Sequence, residues 1–197
     1  MINFIKLVIK NIIMNRLFKT LIPILLISLA ISNCKNSQHS EKISKVDSLQ
    51  TTLNLAEKKL CEIDSNLVMK TYNEYFEVIN EFNEVFPDVR DENWTTICLY
   101  GNIKSGLKAY VKQHDKIKEE INLSRTQLKN LESDIKNNIV DEENFNKYLL
   151  DETEIINSLS QRTNFLIDNA KFEITQYDSL TPLMNNMIEY YKNNYTK

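Results

Sequence analysis

The sequence contains few of the residues that make tight turns. Its 197 residues include only two glycines and three prolines, against usual fractions of about 7% and 5%. β-Sheets and doubly wound α/β folds need many tight turns, which glycine and proline favour, so this scarcity argues against an all-β or a Rossmann-like fold. It favours an all-α fold with a few long helices.

The motifs of catalysis are also missing. The sequence has no G-x-S-x-G, no H-E-x-x-H, no Walker loop and no C-x-x-C, the patterns that mark common hydrolase, metalloprotease, nucleotide-binding and redox sites. Histidine occurs only at His39 and His114. We therefore predict a protein that is not an enzyme, with no catalytic residues, no metal ion and no cofactor.

The first 33 residues differ from the rest of the chain. They contain basic residues and no acidic residue, and residues 21–31 form an apolar run. The run is shorter than the ~20 residues of a membrane-spanning helix, but it fits the apolar core of a secretory signal peptide. We predict a signal peptide at residues 1–33. Met14 is an alternative start, because the segment after it has signal-peptide proportions by itself.

The end of this segment, Ile31-Ser32-Asn33-Cys34, resembles the lipobox of bacterial lipoproteins. The resemblance implies that Cys34 becomes the lipidated N-terminus of a membrane lipoprotein in the cell envelope, facing the periplasm or the cell surface. The chain looks like the coiled-coil lipoproteins that have no known function. Ordinary secretion or an uncleaved anchor is the alternative, since 28–30 and 30–32 are both small-x-small sites.

The charge of the chain limits its partners. Loss of the first 33 residues removes four basic residues from the 24 in the chain, which leaves 20 against 27 acidic residues. With no cluster of basic residues, nucleic acid is not an expected partner, and side chains are not expected to bind an anionic membrane. The expected partners are the membrane, through the lipid, and an envelope protein or glycan. The oligomeric state stays open.

Beyond a tether at 34–40, residues 41–197 carry the spacing of a helical bundle. The first predicted helix covers 41–86, ends before Pro87 because proline breaks helices, and has apolar residues alternately three and four apart, as in a coiled coil. This seam slips near Leu67 and Val68, which indicates a stutter. The second predicted helix begins after a cap at Asp88 or Asp91 and extends to about residue 138. Its seam is the most regular in the chain.

The third predicted helix begins at Asp141, a residue type that caps helix N-termini. Val140 and Phe145 have the spacing of a hydrophobic staple. Thr181 and Pro182 predict a kink and the start of a short final helix, with threonine as cap and proline in the first turn. Short connections make consecutive helices antiparallel neighbours, so we predict a long antiparallel hairpin, or three-helix coiled-coil bundle, with a short C-terminal helix.

His114 occupies a seam position where an apolar residue is expected. Folding the chain at the two turns brings it near Asp64 and Asp168. We interpret the three as a polar core layer that fixes the helix register. The other interpretation, a metal site, needs more ligands than one histidine and two carboxylates at uncertain angles.

Cys61 and Cys98 form the other pair to consider. The predicted hairpin separates them by roughly 28 Å along its axis, far beyond the ~7 Å between Cα atoms that a disulfide tolerates. We predict two free thiols, packed as small hydrophobic groups.

Most aromatic residues after Cys34 fall in 72–110 and 172–195, in the half of the bundle remote from the lipid. They form either a thick aromatic core or a recognition surface. Trp94, Tyr191 and Tyr195 are the candidate binding residues. Two functions follow: a lipid-anchored spacer or scaffold, or a module that binds a peptide, glycan or partner helix at its aromatic end.

Overall fold

The computed structural model describes residues 38–87 and 92–195, and within these ranges every element is an α-helix. The all-α prediction is confirmed. The predicted signal peptide, Cys34 and the caps at Asp88 and Asp91 lie outside the described residues. The described residues form four helices: α1 at 38–60, α2 at Ser65–Val85, α3 at Trp94–Lys136 and α4 at Glu142–Tyr195.

The first helix already contains residues 38–40, which the sequence analysis assigned to the tether. Ion pairs then show how α1 and α2 lie against α4. Lys42 of α1 pairs with Glu142 at 2.6 Å, and Glu81 of α2 pairs with Lys192 at 2.6 Å. Early residues meet early residues and late meet late, so α1 and α2 run parallel to α4.

The helix α3 runs in the opposite direction. Arg125, late in α3, pairs with Glu57 of α1 at 2.6 Å. Tyr110, earlier in α3, lies 3.1 Å from the Ser65 hydroxyl at the start of α2. The described helices therefore pack as three helical strands. α1 and α2 together form the first, α3 runs antiparallel to it, and α4 runs parallel to the first again.

The core follows the predicted seams. The apolar and small residues predicted for the seam of the second helix are all buried in α3. These residues are Ile103, Leu107, Tyr110, Ile117, Ile121, Ser124, Leu128, Leu131 and Ile135. Their strict spacing of three or four residues keeps one face of α3 against both neighbouring strands.

The single helix predicted for 41–86 is wrong, because the chain breaks between α1 and α2 at residues 61–64. Asp64 caps α2, and its carboxylate accepts a hydrogen bond from the backbone N–H of Asn66 at 2.9 Å. An aspartate that bonds its own backbone in this way competes with helix continuation. Beyond the break Leu67 is exposed and Val68 is fully buried. The phase of the apolar seam therefore changes because α1 ends and α2 begins, not because of a stutter within one helix.

The predicted restart at Thr181 and Pro182 is also wrong, because α4 continues through both residues. The Thr181 hydroxyl donates to the Tyr177 carbonyl at 2.6 Å, a bond within the helix rather than a cap. Beyond Pro182, Met184 and Tyr191 are buried, and this packing holds the helix together across the proline.

The turn between α3 and α4 forms as predicted. The Asp141 carboxylate accepts a hydrogen bond from the Asn144 backbone N–H at 2.8 Å, Phe145 is fully buried and Val140 is partly buried. Asn138 has a φ of 56°, the left-handed conformation that asparagine adopts more readily than most residues after a helix.

Candidate functional site

An open groove lies at the end of the bundle remote from residue 38, and we call it the far-end groove. Its volume is about 610 Å³. The start of α3 and the last turns of α4 form its walls, with Glu92, Asn93, Thr96, Leu183, Asn186, Met187, Tyr190 and Tyr195 as lining residues. Phenol rings, amides and one carboxylate line it, a mixture that suits stacking and hydrogen bonding more than chemistry on a substrate.

The three candidate binding residues at this end have different surroundings. Tyr191 is only 1% exposed, and its ring packs edge-on against Phe82 at 6.2 Å and Phe86 at 5.8 Å. Tyr195 is 54% exposed and lines the far-end groove, whereas Trp94 is half-buried at the first position of α3. The prediction that Tyr191 belongs to a binding surface is therefore wrong, because its ring is part of the core.

Tyr190 is the groove residue that the sequence analysis missed. It is 52% exposed, and its ring meets Tyr191 at 5.5 Å and Tyr195 at 6.4 Å in edge-on contacts. A signal for it existed in the sequence. Tyr191 follows Met184 by seven residues, so on one continuous helix these two share a face and Tyr190 is turned about 100° away from it.

A second cavity, of about 310 Å³, lies at the break between α1 and α2. Cys61, Asp64, Ser65 and His114 are among its lining residues. The His114 ring stacks on Tyr110 with centroids 5.0 Å apart, and its Nε2 lies 3.4 Å from the Ser65 Oγ. At 3.4 Å, the contact between Ser65 and His114 is long, and therefore weak, for a hydrogen bond.

The three predicted members of the polar core layer do not form one layer. His114 and Asp64 line the same cavity, but Asp64 serves as the cap of α2. Asp168 pairs instead with Lys59 at 2.7 Å. The His114 Nδ1 lies 2.9 Å from Asp115, whose side chain is almost fully exposed. The prediction failed because Asp64 is engaged as a cap at the break and Asp168 is engaged by Lys59.

The two cysteines are free, as predicted, but both are exposed. The expectation that they pack as small hydrophobic groups is wrong. Cys61 is the first residue of the break, where the chain leaves the helix, and Cys98 lies on the outer face of the first turns of α3.

Two glutamates on α4 are buried, and the sequence analysis did not identify them. Burial raises the pKa of Glu152, with a smaller contribution from Asp151, and burial also raises the pKa of Glu173. The Glu152 Oε2 has no hydrogen-bond partner among the described residues. Glu173 lies over Gly106, where a Cβ would come within 2.5 Å of its side chain. Both glutamates occupy seam positions of α4 where an apolar residue is expected. This mismatch was the signal in the sequence for their burial.

The described residues offer no group of three or more His, Cys, Asp or Glu side chains placed to hold a metal ion. None of the described helices combines the length and apolar character needed to cross a bilayer. No protein family, curated protein or solved structure matches this chain.

Proposed function

We propose that this chain is a non-enzymatic protein of the cell envelope, held to a membrane by a lipid on Cys34, and that its helical bundle acts as a spacer or scaffold. The single observation that carries the proposal is the one long core shared by three helical strands. At about 1.5 Å per residue, the 43 residues of α3 span roughly 65 Å. A bundle of this length sets a distance between its two ends.

Cross-helix ion pairs support this function. Lys42–Glu142 lies near one end of the bundle and Glu81–Lys192 near the other, each at 2.6 Å. Single exposed pairs contribute little stability, but pairs at both ends fix the register of α4 against α1 and α2. A spacer needs such a fixed register, because slippage between strands would change its length.

The alternative function, a module that binds a peptide, glycan or partner helix, is favoured by the far-end groove. Tyr190 and Tyr195 present half-exposed rings there, and exposed tyrosines are common at interface hot spots. Asn186 and Glu92 add hydrogen-bonding groups to the same groove. The two functions are compatible, because a spacer still needs something to hold at its free end.

The lipid is tested by the intact mass of the protein extracted from membranes. We expect an N-terminal Cys34 that carries acyl chains, and we expect Cys34→Ser to leave the membrane fraction. The matched control is Cys61→Ser, which also removes a thiol but lies in the bundle. An N-terminus at Ile31 or Asn33 without acyl mass would refute the anchor.

The groove is tested by a photo-crosslinking amino acid placed at position 190 in whole cells. The matched control is position 55, because Leu55 is similarly exposed but lies on α1. Binding at the far end predicts a defined crosslinked product from position 190 and none from position 55. Equal products from both positions, or none from either, would leave the spacer function without the binding function.

A further inference from the structure

Eight large apolar side chains on α4 are exposed, and we call four of them the α4 stripe. Phe165 is 72% exposed, Phe172 58%, Leu183 47% and Tyr190 52%. Single exposed apolar residues are ordinary on a protein surface, whereas a contiguous group marks an interaction site.

The four side chains lie on one face of the helix. Their separations along the chain are seven, eleven and seven residues. Because an α-helix turns by about 100° per residue, these separations keep all four directions within roughly 20° of one another. The stripe runs along about 38 Å of the helix, at ~1.5 Å per residue.

Most of the residues between them on this face are polar but uncharged: Asn169, Gln176, Ser179 and Asn186. Charged residues make up 26% of the chain, and a solvated helix face normally contains many of them. The charge that borders the stripe, Asp168, is paired with Lys59 at 2.7 Å. Depletion of charge around exposed aromatic rings is typical of the centre of a protein interface.

The spacing of the stripe reads the same in both directions along the chain. We propose that the stripe binds a second copy of this protein, with the two α4 helices antiparallel about a two-fold axis between residues 177 and 178. In this register Phe165 meets Tyr190 of the second copy, and Phe172 meets its Leu183. A two-fold interface must be self-complementary in this way. A parallel pair requires no such symmetry in the spacing.

The polar residues obey the same register. Gln176 meets Ser179 of the second copy, and Asn169 lies at the level of its Asn186. Asp168 lies at the level of Met187 of the second copy, and its charge is paired with Lys59. Antiparallel helices also align their dipoles favourably. A fully buried aromatic side chain removes about 150–250 Å² from solvent, so four half-exposed side chains supply roughly 300–500 Å² of the roughly 800 Å² per partner of a stable interface. Their polar neighbours add to this area.

The inference names an occupant for the far-end groove. Leu183 and Tyr190 belong to both the α4 stripe and the groove, so Phe165 of the second copy would lie beside that groove. In this respect the inference rests on the proposed binding function. It does not depend on the lipid, since the pairing uses α4 alone.

The orientation is tested with single cysteines in a cysteine-free full chain (Cys34→Ser, Cys61→Ser, Cys98→Ser) in mild detergent. Gln161→Cys and Asn194→Cys are prepared separately, oxidised alone, and oxidised as a mixture. Antiparallel pairing places residue 161 opposite 194, but keeps the two copies of residue 161 roughly 50 Å apart. We expect disulfide-linked dimers in the mixture only. Linked dimers from either variant alone would show a parallel pair and overturn the proposal.

The stripe itself is tested by sedimentation of the same chain with Phe172→Lys. The residue occurs twice in a symmetric dimer, so we expect dimerisation to weaken by about 100-fold or more. The matched control is Leu55→Lys, equally exposed on α1, which should dimerise normally. A parent chain that is monomeric at all concentrations, or a Phe172→Lys variant that dimerises normally, would overturn the proposal. Because this chain carries no lipid, neither result bears on the anchor.

Discussion

Lys59 of α1 and Asp168 of α4 form an ion pair at 2.7 Å beside the break between α1 and α2. Lys59 also lies 3.0 Å from Glu62, and Lys171 of α4 lies 2.8 Å from the same Glu62 carboxylate. The hydrogen bond to Asp168 raises the pKa of Lys59, and the bonds from Lys171 and Lys59 lower the pKa of Glu62. The network holds the last turn of α1 against α4 at the point where the first strand is interrupted.

This network predicts which pairs of substitutions have coupled effects on the free energy of unfolding. In a double-mutant cycle, Lys59→Met and Asp168→Asn should show a favourable coupling that decreases with added salt, because exposed pairs are screened. His114→Leu and Asp168→Asn should be additive, since these side chains do not share a contact. Urea unfolding at low and high salt measures both cycles. Coupling between His114 and Asp168 would restore the polar core layer predicted from the sequence.

The cap of α2 gives a second prediction. Asp64→Ala removes the acceptor for the Asn66 N–H and should lower the free energy of unfolding by about 1 kcal/mol. Asp64→Ser keeps a capping oxygen and should retain most of the stability. Thermal melts of the three proteins distinguish the cap from a mere effect of charge. If serine is as destabilising as alanine, the carboxylate is needed for something other than the cap.

The adjacent tyrosines near the end of α4 should respond differently to truncation. Tyr191→Ala removes a ring that is 1% exposed and should destabilise the fold by roughly 3 kcal/mol, as for large core residues. Tyr190→Ala removes a half-exposed ring and should change the melting temperature little. Comparable losses for both variants would place Tyr190 in the core and remove it from the far-end groove.

The buried Glu152 predicts a dependence on pH. Its pKa in the folded protein is raised above the ordinary value of 4.5 by burial, so the ionised form costs stability at neutral pH and this cost disappears as the pH falls toward 4.5. Glu152→Gln should therefore raise the free energy of unfolding by roughly 1 kcal/mol near pH 7.5. Urea melts between pH 4.5 and 8 should show the gain shrinking on acidification.

The exposed neighbour Glu154 provides the control for that series. Glu154→Gln has the same change of charge on the same helix, and it should leave the stability nearly unchanged at every pH. A gain at position 152 that stays constant across the range would show that packing, rather than the charge, causes the effect.

The regular part of this fold could be predicted from the sequence. The seam of α3 has strict three- and four-residue spacing, and its apolar members are buried, because a single continuous helix needs only periodicity to define its buried face. Asp141, as a predicted cap, marked the start of α4, and Pro87 follows the end of α2 as predicted.

The interrupted parts could not be predicted in the same way. A stutter and a helix break produce the same spacing of apolar residues in the sequence. Which of the two forms near residue 64 depends on whether the Asp64 carboxylate accepts a hydrogen bond from the nearby backbone or from solvent. The prediction of which tyrosines are buried at the far end of the bundle failed for a related reason. A restart at Pro182 leaves the rotation of the last turns undefined, whereas a continuous α4 fixes it and turns Tyr191 inward and Tyr190 outward.

The lipid anchor and the antiparallel pair together predict a measurable behaviour on membranes. Lys42 pairs with Glu142, so the end of the bundle that the proposed lipid would anchor lies at the start of α4. An antiparallel pair centred between residues 177 and 178 then places the two anchored ends about 105 Å apart, at ~1.5 Å per residue. Two copies that stand upright on one flat surface cannot adopt this arrangement, but upright copies on two facing surfaces can.

Lipidated protein reconstituted into small vesicles should therefore cluster them, as measured by light scattering. Phe172→Lys should abolish the clustering while the protein stays on the vesicles in a flotation assay, because only the pairing of α4 is lost. Leu55→Lys, with the same change on α1, should cluster vesicles normally. If the wild-type protein floats with the vesicles and dimerises in detergent but never clusters them, then the anchored ends lie on the same side of the dimer, and the tethering geometry is wrong.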